Sequence, residues 1–137
     1  MTDLSTVLRA GVVSEAEQEV TIERSATHIG SGSMPVYATP AMVAFVETTC
    51  LAMVEPLLSP GETTVGVFVE VHHLAPTPLG EKVRIRAEVL GVERNTIEFR
   101  AEVWDQHELV GEARHRRAAI DVERFLKRVR AKTAGSS

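Results

Sequence analysis

The sequence predicts an α+β domain in which an antiparallel β-sheet curls around one long helix. The longest apolar segment, residues 37–55 (YATPAMVAFVETTCLAMVE), carries apolar side chains around most of a helical circumference. Such a pattern is typical of a helix that is enclosed by other structure. One run of alternating polar and apolar residues precedes this helix and four follow it, as expected for strands that bury a single face. The predicted order is therefore β-α-β-β-β-β.

The predicted helix contains a start signal and one internal carboxylate. Thr39 stands directly before Pro40; a threonine hydroxyl can cap the first free backbone N–H groups, and proline suits the first helical position. We therefore predict Thr39 as the N-cap. Glu47 lies in the middle of the apolar segment, where a carboxylate must find a partner, lose its charge or take part in chemistry. Cys50 lies nearby, and we predict that it is a small core residue.

The elements around the helix follow from short-range patterns. Residues 19–23 (EVTIE) alternate and predict the first strand, and a glycine- and serine-rich loop at residues 25–35 leads into the helix. Apolar residues at helical spacing from Asp121 to about Lys132 predict a short C-terminal helix. A sheet that curls around a helix in this order is the hotdog fold, here a single domain covering residues 1–137. The four later strands are predicted at residues 63–73, 82–89, 96–104 and 109–120.

The composition excludes several classes of function. Charged residues make up 25% of the chain, the net charge is −4 and aromatic residues are 4%, so neither nucleic acid nor an anionic membrane is an expected partner. Cys50 is the only cysteine, which rules out a disulfide within the chain, and no metal-binding spacing is present. We expect no metal or cofactor. No segment resembles a signal peptide or a membrane span, so a cytoplasmic location is expected.

Strand parity distinguishes between two adjacent histidines. If the alternation of the run at residues 63–73 is unbroken, His73 shares a face with Val65, Val67, Val69 and Val71, toward the helix. His72 then shares the opposite face with Gly66, Phe68 and Glu70. A histidine that points at the helix carrying Glu47 suggests a base or a charge partner. The alternative is a structural hydrogen bond between histidine and glutamate in the core.

The spacing between the polar residues of the helix limits what one chain can assemble. Thr39 and Glu47 are eight positions apart, which separates them by about 12 Å along a helix axis. Either a substrate spans them or another chain supplies the missing partner. On the last strand, parity places Arg117 inward, where an arginine needs an acid or a phosphate. A structural pair with Glu47 and a ligand-binding role both remain open for this arginine.

Three stretches of the chain resemble the fluoroacetyl-CoA thioesterase-like family of hotdog proteins: GSGSMPVYATPAMVAFVE, VHHLAPTPLG and RHRRAAIDVERF. The resemblance covers the chain from about residue 19 to residue 130. It implies that Thr39, Glu47 and His73 form a catalytic group, that Gly66 helps to bind the acyl group and that Arg117 lies near the site. It also implies an acyl-CoA substrate and a homodimer whose active sites lie at the subunit interface.

One stretch departs from this family. The fluoroacetyl-specific enzyme carries a phenylalanine-rich lid before the helix, whereas this chain has SGSMPVY, in which Tyr37 is the only aromatic residue. We therefore expect a general acyl-CoA thioesterase, with Tyr37 among its substrate-binding residues. Two alternatives stay open: a hotdog protein that binds acyl-CoA without turnover, and a hotdog enoyl-CoA hydratase or dehydratase.

Overall fold

A five-stranded antiparallel sheet packs against one long helix in the computed structural model, which describes residues 1–134. The strand order across the sheet is β1-β3-β4-β5-β2, so β1 and β2 form its edges. The predicted hotdog fold is confirmed. The elements are β1 (Val13–Glu19), α1 (Ala26–Ile29), α2 (Thr39–Val54), β2 (Glu62–His73), β3 (Lys82–Val92), β4 (Thr96–Trp104), β5 (Leu109–Asp121) and α3 (Val122–Ala134).

The core lies between α2 and the inner face of the sheet. Every second residue is buried in β3 up to Val89 and throughout β4, as the alternation predicts. Cys50 on α2 has no exposed surface, and burial raises the pKa of its thiol to about 12, which fits a core residue. The buried apolar side chains of β3, β4 and α2 include Val83, Ile85, Val89, Ile97, Phe99, Val103, Met42, Phe45, Val46 and Val54.

Helix α2 departs from the prediction at its start and on one face. Ala38 is the N-cap, no side chain caps the helix, and Thr39 is the first helical residue. The predicted cap is wrong because Thr39 already has helical geometry and its hydroxyl is bonded elsewhere. The helix is also not enclosed on all sides: Pro40, Ala44 and Thr48 lie on an exposed stripe. By length and hydropathy the helical stretch Thr39–Leu57 resembles a membrane span, but here it is the core helix.

The first strand lies earlier in the chain than predicted. Strand β1 occupies Val13–Glu19, whereas the predicted residues 19–23 run into a short 3₁₀ turn at Ile22–Arg24. Strand β1 pairs only with β3, and its inward positions carry small or polar residues such as Ala16 and Gln18. An edge strand that buries so little apolar surface gives a weak periodic signal. The strand was therefore predicted at residues 19–23, where polar and apolar residues alternate more clearly.

A β-bulge changes the parity of β2. The register against β5 shifts between Gly66 and Phe68, which leaves Val67 unpaired and exposed. Before the bulge the even positions face inward, so Gly66 faces the helix and the predicted placement of Val65 on that face is wrong. After the bulge the odd positions face inward, so His73 faces the helix as predicted. His72 lies on the outer face, where its Nε2 contacts Glu70 Oε1 at 2.9 Å.

Candidate active site

The first polar group joins the start of α2 to the end of β2. The Thr39 hydroxyl lies 2.7 Å from Nδ1 of His73. The imidazole is half-buried, and the loss of hydration lowers its pKa, an effect that a backbone contact at Ala75 partly opposes. A neutral imidazole is therefore favoured near neutral pH, in a form that can accept a proton. Thr39 is the first residue of α2 and no side chain caps the helix, so the backbone N–H groups at this end, those of Thr39 and Ala41 since Pro40 has none, are donors that could meet an anionic oxygen.

Tyr37 contacts the first group through the ring of His73. Its ring contacts the ring of His73 edge to face, with centroids 6.2 Å apart, and its hydroxyl accepts a 2.6 Å hydrogen bond from Gln18. Only 1% of Tyr37 is exposed, although the residue forms part of the wall of a cleft of about 320 Å³ beside Thr39 and His73. The predicted role of Tyr37 in substrate binding stays a prediction. Its observed contacts hold the imidazole ring in place.

The second polar group lies in the middle of α2 and joins it to β5 and β2. The Oε2 atom of Glu47 is 3.7 Å from an Nη atom of Arg117. The guanidinium is almost fully buried and donates from Nε to the hydroxyl of Thr64 at 2.8 Å and from its other Nη atom to the carbonyl of Thr64 at 3.0 Å. The carboxylate of Glu47 is 43% exposed. Arg117 is therefore held rigidly, and Glu47 remains accessible beside it.

His115 belongs to this group and was not among the predicted site residues. It lies two positions before Arg117 on β5, is 1% exposed, and its Nε2 atom is 3.1 Å from an Nη atom of Arg117. Its Nδ1 atom is 2.7 Å from the carbonyl oxygen of Phe68, directly after the bulge. The parity that placed Arg117 inward also places His115 inward, so the spacing His-x-Arg on a strand was the available signal.

Gly66 allows this group to converge. A Cβ atom at this position would lie 2.7 Å from Oε2 of Glu47, 3.2 Å from Cε1 of His115 and 3.5 Å from an Nη atom of Arg117. The backbone of β2 therefore passes so close to this group that a side chain at position 66 would require the Glu47 carboxylate to shift. Strict parity placed Gly66 on the outer face, and the bulge brings it to the site.

The structure does not bring all the predicted catalytic residues together in one chain. Thr39 and His73 form one group, while Glu47, Gly66 and Arg117 form the other. The two groups are separated by about 12 Å along α2 and by roughly 20 Å along β2. One group therefore lies at the start of α2 and the other near its middle, and neither contains all the residues of the predicted catalytic group.

Comparison with known proteins finds relatives that match most of this chain. A family model described as fluoroacetyl-CoA-specific thioesterase matches residues 20–123. The fluoroacetyl-CoA thioesterase of Streptantibioticus cattleyicolor is 38% identical over 98 residues, which cover 72% of this chain and 70% of that protein. The chain belongs to the fluoroacetyl-CoA-specific thioesterase family. It is accordingly a thioesterase with a hotdog fold.

Solved structures extend the likeness of this thioesterase over nearly the whole chain. A fluoroacetyl-CoA thioesterase structure superimposes with a TM-score of 0.86 at 31% identity, covering 91% of this chain and 97% of that one. A variant of that enzyme in complex with fluoroacetate and CoA superimposes with a TM-score of 0.82 at 30% identity, covering 86% and 99%. A thioesterase superfamily member from Thermus thermophilus gives a TM-score of 0.83 at 28% identity, covering 93% and 96%.

Proposed function

We propose that this thioesterase hydrolyses acyl-CoA to a free acid and CoA, at an active site that two copies of the chain complete. The observation that carries the proposal is the pair of complementary groups: Thr39 with His73 at an uncapped helix start, and Glu47 beside the buried Arg117. The similarity to an enzyme crystallised with fluoroacetate and CoA supports the substrate class. The departure of the lid sequence from the family keeps the acyl group general.

The chemistry assigns a role to each side chain. The thioester carbonyl carbon gains an oxygen, its own oxygen becomes negative, and the carbon–sulfur bond then breaks to release the CoA thiolate. Glu47 supplies the carboxylate that attacks the carbonyl or removes a proton from the attacking water. His73, neutral at the start, takes up the proton released by the attacking water, directly or from Glu47, and passes it to the leaving thiolate; Thr39 orients the imidazole. The free N–H groups at the start of α2 stabilise the oxyanion.

Two exposed apolar surfaces of the single chain support a dimer. Val67, Phe68 and Val69 are 54%, 41% and 39% exposed on the edge strand β2, and an exposed edge leaves a row of backbone donors and acceptors unpaired. Helix α2, which β2 partly covers, has an exposed stripe that includes Ala44 and Thr48. Pairing of β2 with the β2 strand of a second copy buries both surfaces at once.

An antiparallel pairing centred on β2 also solves the distance between the two groups. In such a pair the end of one strand lies opposite the beginning of the other. When the pairing is centred between Val69 and Glu70, His73 of β2 in one copy lies opposite Gly66 of β2 in the other. Each active site thereby receives Thr39 and His73 from one subunit, and Glu47, Gly66 and Arg117 from its partner.

The direct test of the function is release of free thiol from a panel of acyl-CoA thioesters, from acetyl to decanoyl. We expect turnover by the unaltered protein and a loss of at least about 100-fold in kcat for Glu47→Gln, because the amide can act neither as nucleophile nor as base. Glu98→Gln is the matched control, since Glu98 lies on the outer face of the sheet and is 44% exposed, like Glu47. It should retain full turnover.

Two results would contradict the proposed function. Absence of thiol release from every acyl-CoA in the panel would contradict the proposed hydrolysis of acyl-CoA. Turnover retained in Glu47→Gln would leave this carboxylate with a structural role only.

A further inference from the structure

His115 is a buried histidine whose two ring nitrogens both have partners. Nδ1 faces the carbonyl oxygen of Phe68 at 2.7 Å, and Nε2 faces Arg117 at 3.1 Å. A carbonyl oxygen can only accept a hydrogen bond, and a guanidinium can only donate one. The ring must therefore carry its proton on Nδ1 and accept at Nε2. Only the neutral imidazole in this tautomer satisfies both contacts, so the Phe68 carbonyl and Arg117 determine both the charge and the tautomer of His115.

The contacts of Arg117 show what the acceptor does. Nε and one Nη atom are held by Thr64, and the remaining Nη atom has two neighbours, His115 and Glu47. Within residues 1–134, the polar contact left to that Nη atom without His115 would be the 3.7 Å contact with the half-exposed carboxylate of Glu47. The imidazole thus supplies a hydrogen-bond acceptor for the Nη atom of Arg117 that faces Glu47, in addition to the two contacts with Thr64.

His115 also connects Arg117 to the bulge of β2. The Phe68 carbonyl that accepts from Nδ1 directly follows the register shift, and that shift turns Gly66 toward Glu47. The ring itself is held by packing, since it is stacked on Phe99 with centroids 6.1 Å apart. One side chain therefore fixes both the cation beside Glu47 and the strand that passes closest to it.

We propose that neutral His115 is a positioning residue of this thioesterase, which holds Arg117 and the β2 bulge so that Glu47 keeps its reactive orientation. The inference rests on the proposed function of Glu47. His115 does not contact the substrate carbonyl in this role; it acts through Arg117.

The surroundings support the neutral form. Burial lowers the pKa of His115 and the Arg117 cation lowers it further, against the opposing effects of the Phe68 hydrogen bond and Glu47. The ionisable groups that influence the His115–Arg117 pair are Glu47, Cys50 and Glu55; the inward residues of β2 and β4 beside it are Thr64, Gly66, Val69 and Phe99. Protonation of the ring would place a second cation against Arg117 and remove the acceptor.

The test compares two substitutions of His115 in the full-length protein. His115→Phe keeps the ring volume and the contact with Phe99 but removes both hydrogen bonds; we expect kcat to fall by about 10- to 100-fold with KM changed by less than about threefold. His115→Gln offers one acceptor and one donor on a similar reach, so it should recover most of the lost kcat. His107→Ala, at an exposed histidine, is the control and should behave like the unaltered protein.

A double-mutant cycle separates positioning from general damage to the core. If His115 acts through Arg117, adding His115→Phe to Arg117→Met should lower kcat by less than about twofold further. Additive losses would overturn the proposal, because His115 would then act independently of Arg117. An unchanged kcat in His115→Phe would overturn it as well.

A spectroscopic measurement decides the proposal without any turnover. Imidazole nitrogen NMR of the unaltered protein should detect the neutral tautomer protonated at Nδ1, and the pKa of His115 should rise in Arg117→Met. A ring protonated at Nε2, or a pKa insensitive to Arg117, would contradict the proposal. If the unaltered protein releases no thiol, the proposed function fails while this measurement still decides whether His115 holds Arg117. It also covers the case in which His115→Phe does not fold.

Discussion

Replacing Gly66 by alanine places a methyl group where Glu47, His115 and Arg117 converge. The added Cβ would lie 2.7 Å from Oε2 of Glu47, against 3.4 Å or more for ordinary contact. The carboxylate must therefore move by about 0.7 Å, the difference between these two distances. Displacements of this size can reduce catalysis by up to about 100-fold, so we expect kcat in the thiol-release assay to fall between about 10- and 100-fold.

The cost in stability should be small by comparison. The carboxylate of Glu47 is partly exposed and can rotate away, while Cε1 of His115 at 3.2 Å needs to yield by only a few tenths of an ångström. We expect the free energy of unfolding in urea to fall by about 1 kcal/mol, the lower end of the overpacking range.

Gly91→Ala is the matched control for this prediction. A Cβ at Gly91 would meet nothing within 4 Å, and its backbone φ is not positive. This variant should keep its turnover and change the free energy of unfolding by less than about 0.5 kcal/mol. Gly66→Ala with full activity would refute the reasoning, because the convergence of the three side chains would then not depend on a bare backbone.

Three further outcomes follow from the geometry of the histidines and the cysteine. His73→Ala should lower kcat by about 100-fold, the usual scale for a general acid or base, whereas His72→Ala on the outer face should keep kcat within a few-fold of the unaltered protein. Circular dichroism checks that both variants are folded. A larger loss of kcat in His72→Ala than in His73→Ala would refute the assignment. Cys50 should resist alkylation at pH 8 in the folded protein, because burial raises the pKa of its thiol to about 12; rapid labelling would contradict its place in the core. Burial lowers the pKa values of His73 and His115 from 6.5, so below about pH 6.5 the unfolded chain binds protons that the folded chain does not. The free energy of unfolding in urea should therefore fall as the pH drops below about 6.5. A free energy of unfolding that is the same at pH 7.5 and pH 5.5 would contradict this.

The sequence was sufficient for the architecture because the strongest patterns belong to the most buried elements. The alternation in β3 and β4 predicted those strands and their buried faces, and the apolar run of α2 predicted the core helix. Strand β1 was misplaced because an edge strand with Ala16 and Gln18 facing inward carries little hydrophobic signal. The exposed stripe of α2 escaped prediction because its small apolar residues cannot be distinguished by composition from core residues.

The site was harder to predict because it depends on a local irregularity. Parity assumed that the odd positions of β2 face the helix throughout. That holds after the bulge, so His73 was assigned correctly, but it fails before the bulge, so Gly66 was placed on the outer face. A bulge at Val67 leaves no sequence signal of its own in a run of valines. The resemblance to the family supplied Gly66 where periodicity could not. His115 was missed because a histidine on an inward strand position is more often a packed core residue than part of a site.

The division of the site between two subunits is the central claim, and mixed dimers test it most directly. Glu47→Gln and His73→Ala are each expected to be inactive as homodimers. When the two variants are unfolded together and refolded at equal concentrations, a mixed dimer retains one site with an intact Glu47 from one subunit and an intact His73 from the other. Random pairing makes half of the dimers mixed, so we expect recovery of about a quarter of the unaltered thiol-release activity. If Glu47 and His73 instead act within one chain, every site in the mixture carries a defect, and no recovery would contradict the shared site.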